Sequence, residues 1–509
     1  MKRFKRLFSL LAVAAMVLTM NMTAFAADTY SITISNTSEG NAYKAYQIFT
    51  GTVSEDGKTL SNIEWGADVS EAFKADKGEA ADYAETLTED NVESMADEIK
   101  GGLENNTSYT ATVAEGETSV TIDDLPAGYY LIENTTAPEG AAYTDFILRI
   151  SYDTAVEAKV DVTTFDKEVY DDDDSSNEAG WGETADHGIG DTVQFRLTAT
   201  LPSSEDYGLY QDYYLVFHDT MSAGLEYVDG SMKIYYGAAD ENGESINPSW
   251  SPAAEGKSFS YTTAELKAGK ELTAGDKVVI EYSATVTTDA VVGEPGNPNT
   301  GYVEFSRNPN VTGTSDMTRT EEDTVWVFTY ELDTFKYETV DSEKTALSGV
   351  EFRLYSDVDC ENEIALTTAE VGGTTYYVPT TEAGNAMVSG ADGYFRIRGL
   401  DDGTYYLKET KALDGYNEVP VITLVINASH SEDEYGVGQI TALSLKVNGG
   451  SAQPASNIES GIVSQEVENS KGTILPETGG IGTIIFYVVG GVLMVGAAAL
   501  FITRRRAQK

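Results

Sequence analysis

The sequence predicts a mainly β protein of three tandem β-sandwich domains, with a minor helical component in the first. Three observations carry this. The chain holds 31 Tyr and 47 Gly against 4 Trp, with Thr and Val in short alternating runs that suit sheets with one solvated face. Its 509 residues leave room for roughly three domains at about 150 residues each. A segment also repeats: Gly128-Tyr129-Tyr130-Leu131-Ile132-Glu133 recurs as Gly403-Thr404-Tyr405-Tyr406-Leu407-Lys408-Glu409, and each copy runs on to a glycine, Gly140 or Gly415. Such self-similarity marks equivalent strands of two domains.

Residues 1–26 begin with Lys2, Arg3, Lys5 and Arg6, continue through an apolar stretch from Leu7 to Leu18 and close on Ala24-Phe25-Ala26. This is the pattern of a secretory signal peptide. The first domain follows over 27–160 and contains the clear helical stretches, Glu71 to Lys77 and Asp90 to Lys100. The middle domain spans 161–330, with strands over Val193 to Ala199, Tyr213 to His218, Ser231 to Tyr236, Val278 to Thr287 and Tyr302 to Ser306. Turn signals separate them at Asp229-Gly230 and at Gly296-Asn297-Pro298-Asn299. The last domain spans 331–470. Residues 471–509 hold Leu475-Pro476-Glu477-Thr478-Gly479, an apolar run from Ile481 to Thr503 long enough to span a bilayer as a helix, and a basic tail, 504–509, with Arg504, Arg505, Arg506 and Lys509.

Charge and residue counts exclude several function classes. Thirty-three Lys+Arg against 83 Asp+Glu leave a formal charge of −50, which repels phosphate backbones, so no nucleic-acid partner is expected. One cysteine, Cys360, excludes an internal disulfide framework, and three scattered histidines, His187, His218 and His430, make no metal centre. The acidic run Asp171 to Asp174 offers hard oxygen ligands of the kind calcium takes, but reads as a solvated loop. Gly51 to Lys58 misses phosphate-loop spacing by one residue, and neither a metalloprotease helix motif nor a Gly-x-Ser-x-Gly elbow occurs. No cofactor is expected, and no enzyme acting on other molecules.

Strand alternation turns unusual residues inward, because side chains two apart share a face. Lys167 shares a face with Phe165 and Val169, and Asp219 with Tyr213, Leu215 and Phe217. In the last domain Lys336 falls with Leu332 and Thr334, Glu409 with Tyr405 and Leu407, and Asn469 with Val463, Gln465 and Val467. Charged side chains are seldom buried unless paired. Buried salt bridges, or exposed residues on edge strands, are the plain alternatives.

The pentapeptide, apolar run and basic tail, in that order, resemble the cell-wall sorting signal of Gram-positive surface proteins. The resemblance implies that a sortase cuts between Thr478 and Gly479 and passes the Thr478 carbonyl to an amine. The mature chain would then run from Ala27 to Thr478, with 25 Lys+Arg against 83 Asp+Glu. Thr-Phe-Asp-Lys167-Glu-Val, the stretch from Asp219 to Tyr227, and Phe-Ser-Arg-Asn308-Pro-Asn310 resemble the isopeptide-forming domain of sortase-assembled backbone pilins. The last domain resembles their Cna B-type module through Tyr405, Leu407, Glu409, Ala412, Gly415 and Tyr416, with Lys336 on its first strand and Val467-Glu468-Asn469 on its last.

This family resemblance implies immunoglobulin-like/Cna-type sandwiches with internal amides between Lys and Asn, promoted by an acid: Lys167 to Asn308 with Asp219, and Lys336 to Asn469 with Glu409. Alternation from Val303 and Phe305 turns position 307 inward, so a bulge or the strand's end presents Asn308, with Asn310 the alternative. Lys44 offers a third such bond in the first domain. Lys159, on the opposite face from Val156, Ala158, Val160 and Val162, stands where the family's intersubunit lysine stands, preceded here by Val-Glu-Ala. The implied function is a pilus shaft subunit, with Thr478 of one copy joined to Lys159 of the next. Its partners would be polymerising and housekeeping sortases, identical subunits head to tail, accessory pilins and peptidoglycan. A wall-anchored monomeric adhesin of the same modules is the alternative.

Overall fold

A computed structural model describes residues 29–54, 59–87, 98–104, 109–142, 145–158, 162–172, 179–202, 207–208, 210–237, 243–252, 256–309, 311–472, 489–490, 492–498 and 504. The fold is mainly β, as composition and alternation imply. Strands β1 (Thr29–Ser35) and β2 (Ala42–Val53) open two sheets in the first region. Ile32, Ile34, Tyr43 and Ala45 are buried between them with Tyr130 and Ile132 of β3 (Gly128–Thr136). Helix α1 (Glu71–Lys77) forms where expected, started by Ser70, whose side chain accepts from the Phe73 backbone N–H. A second short helix, α2 (Ala80–Thr86), was not anticipated. It buries Ala80 and Tyr83 against Phe49 and Leu131. Of the expected helix from Asp90 to Lys100, only its end at 98–100 lies among the described residues, and it is helical. Strand β4 (Thr154–Glu157) runs parallel to β1 and closes this region.

The next region is a sandwich of two sheets. One holds β5 (Thr164–Asp171), β6 (Thr192–Thr200) and β8 (Lys277–Val286), side by side in that order; the other holds β7 (Leu215–Met221), β9 (Asn297–Ser306) and β10 (Asp323–Phe328). Between the sheets lie Phe195, Leu197, Phe217, Ile280, Val303, Phe305 and Val325, all at most 1% exposed. The third region repeats the plan. Strand β11 (Tyr330–Val340) pairs in parallel with the last strand, β13 (Ile462–Glu468), and faces a sheet containing β12 (Gly403–Lys411). Its core is built from Leu332, Phe352, Leu354, Phe395, Ile397 and Leu407. The second and third regions also bond to each other directly: Ile189 N–H donates to Gly399 O at 2.8 Å, and the Tyr330 hydroxyl to Asp186 at 2.7 Å.

Two expectations are corrected here. Gly296-Asn297-Pro298-Asn299 is not a turn between strands. Asn297 to Ser306 is one ten-residue strand, β9, with alternate residues buried from its first position. The expectation of a membrane-spanning helix over 481–503 is also overturned: among the described residues no helix is long and apolar enough to cross a membrane. The helical residues described there are 489–490 and 492–498.

Candidate functional sites

Alternation along β5 buries Lys167 and Val169, and along β7 it buries Leu215, Phe217, Asp219 and Met221. The two strands belong to opposite sheets, so Lys167 and Asp219 meet across the sandwich. The Lys167 ammonium nitrogen donates to Asp219 Oδ2, with both side chains fully enclosed. Burial pushes the Lys167 amine below its ordinary pKa and the Asp219 carboxyl above its own, and the mutual attraction of the pair opposes both shifts. Burial thus works against the charged form of both groups. Gly301, directly opposite Asp219 on β9, leaves the Phe165 ring its space beside the acid. A Cβ there would stand 3.5 Å from Asp219 Oδ2 and 3.1 Å from the Phe165 ring.

The carboxamide at this site is Asn299. It is 0% exposed, sits on β9 opposite Met221, and its Nδ2 donates to the Tyr282 hydroxyl oxygen at 2.6 Å. Tyr282, inward on β8, in turn donates to Asp219 Oδ1 at 2.8 Å. The structure places Asn308 elsewhere. It follows the end of β9, half-buried, and donates to Asp316 at 3.1 Å. It lies seven residues beyond Gly301, which at roughly 3.3 Å per residue carries the chain far past Asp219. Asn310 lies outside the described residues.

The third region assembles its trio differently. Lys336 on β11 is opposite Val467 on the parallel strand β13, so Asn469 follows just beyond the pair. The Lys336 amine donates to Asn469 Oδ1 and lies 3.3 Å from Glu409 Oε2; Asn469 Nδ2 donates to Glu409 Oε1 at 3.0 Å. Exposure is 0% for Lys336, 3% for Glu409 and 1% for Asn469. Burial lowers the Lys336 pKa and Glu409 pulls the other way. The Phe352 ring lies 5.6 Å from the amine and helps to exclude water.

The remaining expected positions fall as follows. Lys44 is buried on β2, with its amine 4.8 Å from the Tyr46 ring centroid, and it pairs across the ladder with Glu133, whose carboxylate is held by Lys100 at 2.8 Å. Asn134 lies opposite Tyr43, on the other face of the strand, and donates to Asn41 at 2.8 Å. Lys159 and Leu475, Pro476, Glu477, Thr478 and Gly479 lie outside the described residues. So do Asp173 and Asp174, while Asp171 and Asp172 come together with Asp186, His187, Asp401 and His430 where the second and third regions meet.

Sequence reasoning missed Asn299 and Tyr282. The signal for Asn299 was the inward series Asn297, Asn299, Gly301, Val303, Phe305, concealed by Pro298. For Tyr282 it was a hydroxyl at an inward position, which needs a buried partner.

Residues 333–437 match the family model described as "Prealbumin-like fold domain", and residues 467–509 match the LPXTG cell wall anchor motif. The trypsin-resistant surface T6 protein of Streptococcus pyogenes serotype M6 is 24% identical over 98% of this chain and 99% of its own length. Among solved structures, the T6 backbone pilin of that serotype, described as a modular three-domain structure, superposes with a TM-score of 0.56 at 19% identity, over 89% of this chain and 100% of its own. The full-length major pilin SpaD from Corynebacterium diphtheriae gives 0.50 at 18% identity, over 87% and 98%. The chain is an LPXTG-anchored, cell-wall surface protein with the modular fold of a backbone pilin.

Proposed function

We propose that this backbone pilin is the shaft subunit of a covalent surface fibre, joined by a sortase through Thr478 of one copy to Lys159 of the next. We also infer that each copy is locked by two self-formed amides, Lys167 to Asn299 promoted by Asp219 and Lys336 to Asn469 promoted by Glu409. The observation that carries the second inference is the burial, twice in one chain, of a lysine amine against a carboxyl group that also serves an asparagine carboxamide, directly or through one hydroxyl.

Burial shifts each amine toward its neutral, nucleophilic form. Folding supplies the proximity that a bimolecular reaction lacks. The lysine nitrogen attacks the asparagine Cγ, the Cγ–Nδ2 bond breaks and ammonia leaves; the acid takes a proton from the amine, and a proton reaches the departing nitrogen. The chain is its own single-turnover substrate and acts on no other molecule. Each amide closes a loop of more than 130 residues, comparable in its effect on the unfolded chain to a long-range disulfide worth roughly 5 kcal/mol, and it is untouched by reductant.

The intersubunit joint rests on the order of sequence features: an anchor motif at one end and a lysine between the first and second domains at the other. It predicts a head-to-tail, open assembly, anchored in turn to peptidoglycan and open to accessory pilins. Surface extracts boiled in detergent test it. A ladder of polymers that collapses to one species in Lys159→Ala supports the shaft. A single wall-attached species in the unaltered chain contradicts it and leaves a monomeric adhesin.

A further inference from the structure

We propose that Tyr282 is a catalytic residue of the middle-domain amide, its hydroxyl relaying a proton from Asp219 to the departing nitrogen of Asn299. The inference rests on the Lys167–Asn299 reading above and goes beyond it, because that reading assigns only an amine, an acid and a carboxamide.

The geometry calls for an intermediary. Asp219 is opposite Gly301, and Asn299 is opposite Met221, so acid and amide are diagonal neighbours on adjacent antiparallel strands, about 7–8 Å apart between backbones. Glu409 needs no help, since it touches both Lys336 and Asn469. Asp219 Oδ2 is taken by Lys167, and its Oδ1 reaches Asn299 through the Tyr282 oxygen, by bonds of 2.8 and 2.6 Å. The hydroxyl comes from the facing sheet and fills the gap.

An amide nitrogen departs as ammonia only when it is protonated, and the group within hydrogen-bond distance of Asn299 Nδ2 is this hydroxyl. In the balanced step the Lys167 nitrogen bonds to Asn299 Cγ and gives a proton to Asp219. As Nδ2 becomes basic the two hydrogen bonds of the Tyr282 oxygen reverse direction, so that Tyr282 gives its hydroxyl proton to Nδ2 as the Cγ–Nδ2 bond breaks, and recovers one from Asp219 Oδ1. Ammonia leaves, and Tyr282 and Asp219 end as they began. Burial, reinforced by Asp219, holds the Tyr282 pKa well above the ordinary phenol value, so the hydroxyl keeps its proton until the transition state calls for it.

Tyr282→Phe removes only the hydroxyl. The ring stays stacked on Phe195 at 5.4 Å and edge-on to Phe259 at 5.3 Å, so the sandwich keeps its packing. The experiment is intact mass of the processed chain, Ala27 to Thr478, followed over time after refolding. Each amide removes about 17 Da as ammonia. The unaltered chain should lose about 34 Da, and Tyr282→Phe about 17 Da, with the Lys336–Asn469 bond as internal proof of folding. A Tyr282→Phe chain that loses the full 34 Da at the unaltered rate overturns the relay. An unaltered chain that loses nothing overturns the amide reading itself, a distinct result. Replacing Tyr282 with a fluorinated tyrosine of lower hydroxyl pKa should shift the pH profile of the middle-domain bond alone. An unchanged profile would reduce Tyr282 to a positioning residue and contradict the proton transfer.

Discussion

The middle and last sandwiches bury the same three kinds of side chain by opposite routes. In the middle domain the lysine and the carboxamide come from facing sheets, β5 and β9, so the amide would staple the sandwich through its core. In the last domain they come from neighbouring parallel strands of one sheet, β11 and β13, with Glu409 supplied from the other. Where lysine and amide are strand neighbours, one glutamate reaches both. Where they face each other across the core, the shorter aspartate reaches the lysine and a tyrosine bridges the rest. One trio of side chains is therefore built on two scaffolds, and the acid's side-chain length follows the strand arrangement.

The largest expected effect is on stability. Glu409→Ala should remove the last-domain amide and leave Lys336 buried with its acid gone. A loss of roughly 5 kcal/mol in a domain of this size lowers its melting temperature by about 10–20 °C. Calorimetry should show that shift in one transition and leave the middle domain's unchanged. Asp219→Ala should do the reverse.

The assignment of the carboxamide sharpens the comparison next. Asn299→Ala should abolish the crosslinked peptide that joins β5 to β9, read by mass spectrometry after digestion, while Asn308→Ala should leave it intact. A peptide linking Lys167 to residue 308 would return the bond to the strand's end and break the trans-sheet account.

Pulling on single molecules distinguishes the two staples by what each leaves extensible. The 36 residues between Asn299 and Lys336 lie outside both closed loops and should extend by roughly 120–130 Å in the crosslinked chain. The 131 residues between Lys167 and Asn299 should add roughly 430–470 Å only when Asn299→Ala opens that loop.

The smallest effect is a pH dependence. In Asp219→Ala the amine stays free and buried, with its pKa below that of the unfolded chain, as burial already drives it in the presence of the acid. The unfolded state then binds more protons, so middle-domain stability should rise with pH until the unfolded lysine also loses its proton, near pH 10.4. The unaltered chain, its Lys167 consumed in an amide, should lack this rise; thermal melts from pH 7 to 10 measure it.

The two-residue period made much of this legible before any coordinates. Lys167, Asp219, Lys336, Glu409 and Asn469 each shared a strand face with apolar residues, and all are buried. Asn299 was hidden because Gly296-Asn297-Pro298-Asn299 carries turn chemistry. Yet Pro298 tolerates the strand: its carbonyl accepts from Ser222, and the donor it lacks is not needed at this outward position. Tyr282 was hidden because a tyrosine on an alternating strand reads as core, and only the facing sheet reveals what its hydroxyl touches. Helix α2 escaped because seven residues carry too little periodicity, and its two buried side chains find their partners in β2 and β3.

The most direct test of the two amides is the intact mass of the chain from Ala27 to Thr478, beside Asp219→Ala and Glu409→Ala. The account predicts a deficit of about 34 Da for the unaltered chain and about 17 Da for each variant, as two losses of ammonia require. A full, undiminished mass in the unaltered chain would contradict it, leaving buried ion pairs where covalent bonds are claimed.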